Sequence, residues 1–264
     1  MVQLFLRVSA AFLILAVFSF IITPTQAQDN PLYDTPVLRP QQGQILTFPS
    51  ATVITTDDGF DNFDLGVDGA EPHMAVNPLN PLWYFNAYNT NAAHRSENGH
   101  DWTSTSPVFG FPMRGDPVIA YDSLGNLYYE NMYGSPSVLG CKVLVSTNNG
   151  ANWTASAGVT SVAGVDKNWI AADQTMGPYA NYVYTTMTAG GGNGNFNRST
   201  DRGVTWQNTA SFGTQVLPGM MVAVGPNVLG GNNVSGGAVY VVTHSGSNGA
   251  GRYTFYVSTD GGLT

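Results

Sequence analysis

Short apolar stretches recur along the chain, and none of them after the N-terminus has helical spacing. Glu71-Pro-His-Met-Ala-Val-Asn-Pro, Asp116-Pro-Val-Ile-Ala-Tyr-Asp and Asp166-Lys-Asn-Trp-Ile-Ala-Ala-Asp each begin on an acid and run into a few apolar residues. Met220-Met-Val-Ala-Val-Gly-Pro226 is a fourth copy without the acid. A second stretch follows each: Trp83-Tyr-Phe-Asn-Ala-Tyr88, Leu127-Tyr-Tyr-Glu-Asn-Met132, Tyr182-Val-Tyr-Thr-Thr-Met187 and Ala238-Val-Tyr-Val-Val-Thr243. Third stretches include Lys142-Val-Leu-Val-Ser146 and Tyr253-Thr-Phe-Tyr-Val-Ser258. β-branched and aromatic residues in short runs bounded by Gly, Asn and Pro predict strands.

The third stretch of each unit leads into a polar segment. These segments are Ser96-Glu-Asn-Gly-His-Asp-Trp102, Ser146-Thr-Asn-Asn-Gly-Ala-Asn-Trp153, Ser199-Thr-Asp-Arg-Gly-Val-Thr-Trp206 and Ser258-Thr-Asp-Gly-Gly-Leu-Thr264. Their glycines, Gly99, Gly150, Gly203 and Gly262, are separated by 51, 53 and 59 residues. A strand-only unit of three or four strands at this period predicts a β-propeller blade; strand solenoids repeat faster, at ~20–30 residues. The expectation is therefore an all-β chain, a β-propeller of four-stranded blades. About four blades are present, and the fourth breaks off after its third strand, as in a C-terminally truncated propeller. Residues 43–264 form this incomplete propeller, preceded by a tail at 28–42. Strand-like residues at 45–48 and 53–56 are candidates to pair with a last blade.

Ser199–Trp206 fits the pattern S-x-D-x-G-x-T-W throughout and resembles the Asp box of the sialidase-like (BNR repeat) propeller family. Ser146, Asn148, Gly150 and Trp153 resemble it with Asn in the Asp column, and Ser258, Asp260 and Gly262 match as far as they run. The first copy is either one residue shorter or places Arg95 and Glu97 in the Ser and Asp columns. The residue types have a local reason: Asp201 accepts from backbone amides of its own turn, Gly203 permits a positive φ, and Trp206 buries a large apolar area. The resemblance implies that these boxes are structural hairpin turns on the outer part of each blade, away from any ligand.

The N-terminus sets the compartment. Arg7 precedes an apolar run from Val8 to Ile22, and small residues Thr25 and Ala27 follow. This is the layout of a secretory signal peptide over residues 1–27, and the run is shorter than the ~20 residues of a bilayer span. Secretion, to the medium, the periplasm or the cell surface, is expected, with no membrane span after cleavage. Net charge is −8 and no basic cluster occurs, which excludes the phosphate neutralisation that nucleic-acid binding requires. Cys141, the one cysteine, forms no intrachain disulfide and reads as a small buried hydrophobe. A monomer is expected.

Candidate chemistry lies where first strands converge. Glu71, Asp116 and Asp166 hold one register in three units and can ring one mouth of the channel, with Arg114 two residues before Asp116. Such carboxyls suit a cation, sugar hydroxyls or proton transfer. Equally, each caps the turn entering its strand. The resemblance implies a sialidase's three arginines, Tyr/Glu nucleophile pair and Asp acid/base, and no Arg-Ile-Pro-like motif is present to carry the first arginine. Asp57, Asp58, Asp61, Asp64 and Asp68 cluster ahead of the first unit, as a solvated loop or a structural calcium site; no other cofactor is expected. The four histidines lack zinc spacing, and Gly190–Gly194 reads as a flexible loop. Two functions stay open: a secreted, exo-sialidase-like glycoside hydrolase, or a non-catalytic propeller that binds glycans or proteins at the cell surface.

Overall fold

Each apolar stretch is a strand, and strands that follow one another in sequence pair antiparallel within one small sheet. The computed structural model describes residues 52–55, 61–66, 69–159, 166–188, 194–212, 219–225, 236–245 and 251–264. All belong to one of two units of the chain, Leu46–Thr264; the other, Met1–Ile45, lies outside the described residues, as do the expected signal peptide and tail.

The first strands to pair, β1 (Thr52–Thr55) and β2 (Asp61–Asp64), form a two-stranded sheet of their own. The stretch at 53–56 therefore pairs with its own neighbour on one edge, and the end of the acidic stretch is a strand, not a loop. Four meander sheets follow. The first contains β3 (His73–Asn77), β4 (Asn80–Tyr88), β5 (Ala92–Ser96) and β6 (Trp102–Thr105). The second contains β7 (Met113–Tyr121), β8 (Leu127–Tyr133), β9 (Gly140–Ser146) and β10 (Thr154–Gly158). The third contains β11 (Asp166–Ala172), β12 (Val183–Thr188), β13 (Gly194–Ser199) and β14 (Gln207–Ser211). The fourth contains β15 (Met221–Val224), β16 (Val239–Ser245) and β17 (Arg252–Ser258). Their first strands touch in succession, β3 on β7, β7 on β11 and β11 on β15. This is the radial arrangement of propeller blades.

The polar segments build the turns. The Ser146, Ser199 and Ser258 hydroxyls accept from the Gly150, Gly203 and Gly262 amides at 2.9, 2.7 and 2.9 Å. Asp201 Oδ1 accepts from the Thr205 amide at 2.9 Å, and Asn148 Oδ1 does the same for Asn152 at 2.9 Å. In the first copy Ser96 accepts from Gly99 at 2.9 Å and Asn98 from Asp101 at 2.7 Å. The turn there is thus one residue shorter, with Asn98 in the acid column. Replacing Ser146 with Ala leaves the buried Gly150 amide without its acceptor. Equilibrium denaturation should show a loss of about 1–3 kcal/mol.

Three of the turns also join two blades. A Cβ placed on Gly150 would lie 2.5 Å from Phe85 of the first blade. One on Gly203 would lie 2.9 Å from Val145 and 3.3 Å from Tyr128 of the second. One on Gly262 would lie 2.9 Å from Phe196 and 3.0 Å from Tyr184 of the third. Phe85, Tyr128 and Tyr184 share one register, each pairing with the residue before the turn serine. The turn glycine is therefore the flat spot on which the preceding blade's aromatic ring rests. Trp153 and Trp206 pack at the same joints, between the first and second and the second and third blades.

Candidate functional site

Three of the four first strands end on equivalent turns. Asn77, Asp122 and Asp173 each accept, through Oδ1, from the amide two residues on, at 2.8, 3.0 and 2.7 Å. Strand pairing gives the same register: His73 lies opposite Ala87, Val118 opposite Glu130, Trp169 opposite Thr186 and Met221 opposite Val242. In that register the residues entering the strands are Glu71, Asp116, Lys167 and Gly219. All four have left-handed backbone, with φ of 53, 55, 62 and 111°. Three non-glycine residues in this conformation at one column are unusual for independent turns.

Three of the four carry charge, and they meet. Lys167 Nζ lies 3.6 Å from Glu71 Oε1 and 3.7 Å from Asp116 Oδ2. Asn89, one residue past β4, ties the two carboxyl-bearing entries together. Its Nδ2 donates to Glu71 Oε2 at 2.6 Å, and its Oδ1 accepts from the Asp116 amide at 2.7 Å. Gly115 makes room: a Cβ there would sit 2.5 Å from Asn89 Oδ1. Asn131 Oδ1 then accepts from the Gly115 amide at 3.1 Å.

Electrostatics divides the two carboxyls. Asp116 is buried and Glu71 is exposed. Burial pushes Asp116 up to about 7, and its hydrogen bond with Glu71 adds to the rise. The same hydrogen bond, with Asn89 and Lys167 behind it, holds Glu71 below the usual carboxylate range. One proton shared between touching carboxyls therefore resides on Asp116. Beside the cluster, His73 Nδ1 accepts from the Ile119 amide at 3.2 Å, and Trp169 meets its ring edge-on at 5.5 Å. Burial, and then Lys167, hold His73 below its ordinary value.

Of the sequence candidates, Glu71 and Asp116 are in contact with Lys167. Asp166 is exposed and precedes the entry column by one residue; the register correction replaces it with Lys167. Its charge contributes the last of the causes that raise Asp116. Arg114 is exposed and makes no ion pair among the described residues. Asn89 carries no signal in its own neighbourhood, because both its partners belong to other strands. Cys141 is fully buried, and burial, with Glu130 beside it, raises its thiol well above the ordinary range. Among the described residues no three His, Cys, Asp or Glu side chains converge as a metal site. Asp57, Asp58 and Asp68, which carried the calcium expectation, lie outside the described residues, as do residues 189–193 of the glycine-rich loop.

No family model matches the chain, and no curated protein matches it. Solved structures are similar to it at low identity. A protein of unknown function from Dyadobacter fermentans is 14% identical, over 74% of this chain and 66% of that one, with a TM-score of 0.49. A GH74 xyloglucanase from Xanthomonas campestris is 12% identical, over 77% of this chain and 32% of that one, at 0.42. The SapL1 lectin in complex with alpha methyl fucoside is 13% identical, over 71% and 62%, at 0.46. The chain thus spans less than two thirds of the length of each of these structures.

Proposed function

We propose that this chain is part of a secreted, sialidase-like propeller protein directed at glycans, and that the Glu71–Asp116–Lys167 cluster is its sugar site. One observation carries the reading: three successive first strands enter through left-handed residues that bring two carboxyls and an ammonium to one spot. Carboxylates accept from sugar hydroxyls and an ammonium donates to them. The half-buried faces of His73 and Trp169 supply apolar surface beside them. A polar cluster flanked by aromatic rings is the ordinary make-up of a small-molecule site.

Binding is favoured over hydrolysis by the contact between the carboxyls. Glycoside hydrolysis places its two carboxyl groups ~5–10 Å apart, with the sugar between them. Here they share a hydrogen bond. The hydrolytic reading has its own support, because a protonated acid near neutrality beside an ionised carboxylate is the division of labour that glycosidases use. In that reading Asp116 is the acid and Glu71 the base, and ligand entry must part them.

A glycan array, followed by titration calorimetry on the best ligand, separates these readings. Glu71→Gln should weaken binding about 10- to 100-fold, the worth of one hydrogen bond to a charged group, and Asp116→Asn, at the carboxyl that holds the proton, should weaken it less. Release of fluorophore from an aryl glycoside, lost in Asp116→Asn, identifies an enzyme. No retention of any glycan defeats the proposal.

A further inference from the structure

The second blade extends further than its neighbours at the end that carries the cluster. β7 is nine residues long, against five in β3 and seven in β11. Its extra residues, 113–115, precede the entry column at Asp116, and Met113 and Gly115 pair with Tyr133 and Met132 of β8. Phe111 lies just before them and is 51% exposed. The Phe111 and Tyr133 rings meet at 5.5 Å and hold the Lys142 ammonium, whose Nζ lies 4.6 and 4.7 Å from their centres. A Cβ on Gly158 of β10 would sit 2.6 Å from Nζ, so the glycine leaves the space that the ammonium fills. Lys142 has no ion pair among the described residues. Ring contacts leave the N–H donors of an ammonium unspent.

Strand order places this group beside the cluster. Asn131, Tyr133 and, opposite Asn131, Lys142 lie on one face of the second blade. It is the face whose Tyr129 and Leu144 pack with Phe85 of the first blade. That joint is built in full, so the exposure of Phe111 does not come from an end of the run of blades. Asn131 links the group to the cluster. Its Oδ1 accepts from the Gly115 amide at 3.1 Å, and its Nδ2 donates to the carbonyl of Thr90, the residue after Asn89, at 2.5 Å. β9 is two strands out from β7, which sets Lys142 ~10 Å outward. That is further than one sugar ring reaches and within the span of an oligosaccharide.

We infer, resting on the reading of the cluster as a sugar site, that Phe111, Tyr133 and Lys142 form a second subsite for the following units of an oligosaccharide. A sugar lays its C–H face on the open part of the Phe111 ring, and its oxygens accept from the Lys142 ammonium. Exposed aromatic surface beside a fixed polar donor is what such a ligand requires. The ligand is therefore a chain of sugars, held at one end by the cluster and further along by the rings.

Binding to matched glycan ladders, from single sugars to hexasaccharides with glucose, galactose, mannose, xylose and sialic acid ends, tests this. The retained series should bind about tenfold tighter or more as an oligosaccharide than as its single sugar. Phe111→Ala should remove about tenfold from the oligosaccharide, ~1.4 kcal/mol, and leave the single sugar unchanged. Retained binding of the single sugar also verifies that the variant is folded. Lys142→Met, which keeps an apolar stem between the rings, should show the same split. Leu124→Ala, at a residue 52% exposed in the turn after β7, should change neither. Equal affinity at every length overturns the inference and leaves the sugar site in place. So does a Phe111→Ala loss that is the same for single sugar and oligosaccharide. Retention of no ladder at any length removes the sugar site itself, and this subsite with it.

Discussion

Gly150→Ala should lower the stability of the chain by about 3 kcal/mol, about twice the loss from the same change at Gly110. Both glycines have left-handed backbone, with φ of 77 and 76°. That conformation costs an L-residue about 1–2 kcal/mol. The two sites differ in what a methyl group would meet. At Gly110 nothing lies within 4 Å. At Gly150 the new Cβ would sit 2.5 Å from Phe85 Cε2 and 3.0 Å from Trp153 Cζ2. Phe85 is fully buried and packs edge-on against Tyr129 and Trp153 at 5.8 and 5.4 Å, so it has nowhere to withdraw. Overpacking of this kind adds about 1–3 kcal/mol. Urea denaturation of the two variants in parallel isolates the joint, because the backbone contribution is common to both. Equal losses at the two sites would mean that the turn does not bear on the neighbouring blade.

The second large effect concerns Glu130, which is fully buried on β8 between the second and third blades. Its Oε2 accepts from Asn168 Nδ2 of β11 at 2.9 Å, and Cys141 and Thr185 flank it. At the next joint the equivalent residue also bonds across, in the opposite direction, with the Thr186 hydroxyl donating to the Met220 carbonyl at 3.1 Å. Burial pushes the Glu130 carboxyl from 4.5 up to about 7. In the unfolded chain it titrates near its ordinary value. Between those two pH values the folded chain keeps a proton that the unfolded chain has released. Stability from this group therefore falls as pH rises through the window, and the loss is complete above about 7. At 1.36 kcal/mol per pKa unit it amounts to about 3 kcal/mol.

Glu130→Gln keeps an acceptor for Asn168 and cannot ionise. The variant should match the parent below pH about 4.5 and exceed it by about 3 kcal/mol above pH about 7. Denaturant midpoints across that range check it. A variant that is less stable at every pH would show that the carboxyl is held as a charge, not as an acid.

The repeat was legible in the sequence because its turns admit few residue types. A serine hydroxyl must reach the glycine amide, an acid or amide must accept from the turn, and the glycine must present a flat surface to a ring. Those demands recur at Ser96, Ser146, Ser199 and Ser258, and with them the strand count of every blade. The site was only half legible. Matching acid with acid puts Asp166 in the column of Glu71 and Asp116. Matching the Asx turns that end the strands, at Asn77, Asp122 and Asp173, moves the column to Lys167. Charge type misled where turn chemistry would have guided. Asn89 was beyond reach for a different reason: its partners are 18 and 27 residues away, and packing of two blades sets the contact. Glu130 did leave a trace, as a lone acid inside the apolar run from Leu127 to Met132.

Zero-length carbodiimide cross-linking, read by peptide mass spectrometry, tests the radial arrangement most directly. The chain has two lysines, Lys142 and Lys167, so the products are few. If successive first strands lie side by side with their entries at one end, Lys167 joins Glu71 or Asp116, bridging separate blades across 96 or 51 residues of sequence. Links from Lys167 to Asp166 and Asp173 of its own blade alone, with none to residue 71 or 116, would contradict that arrangement.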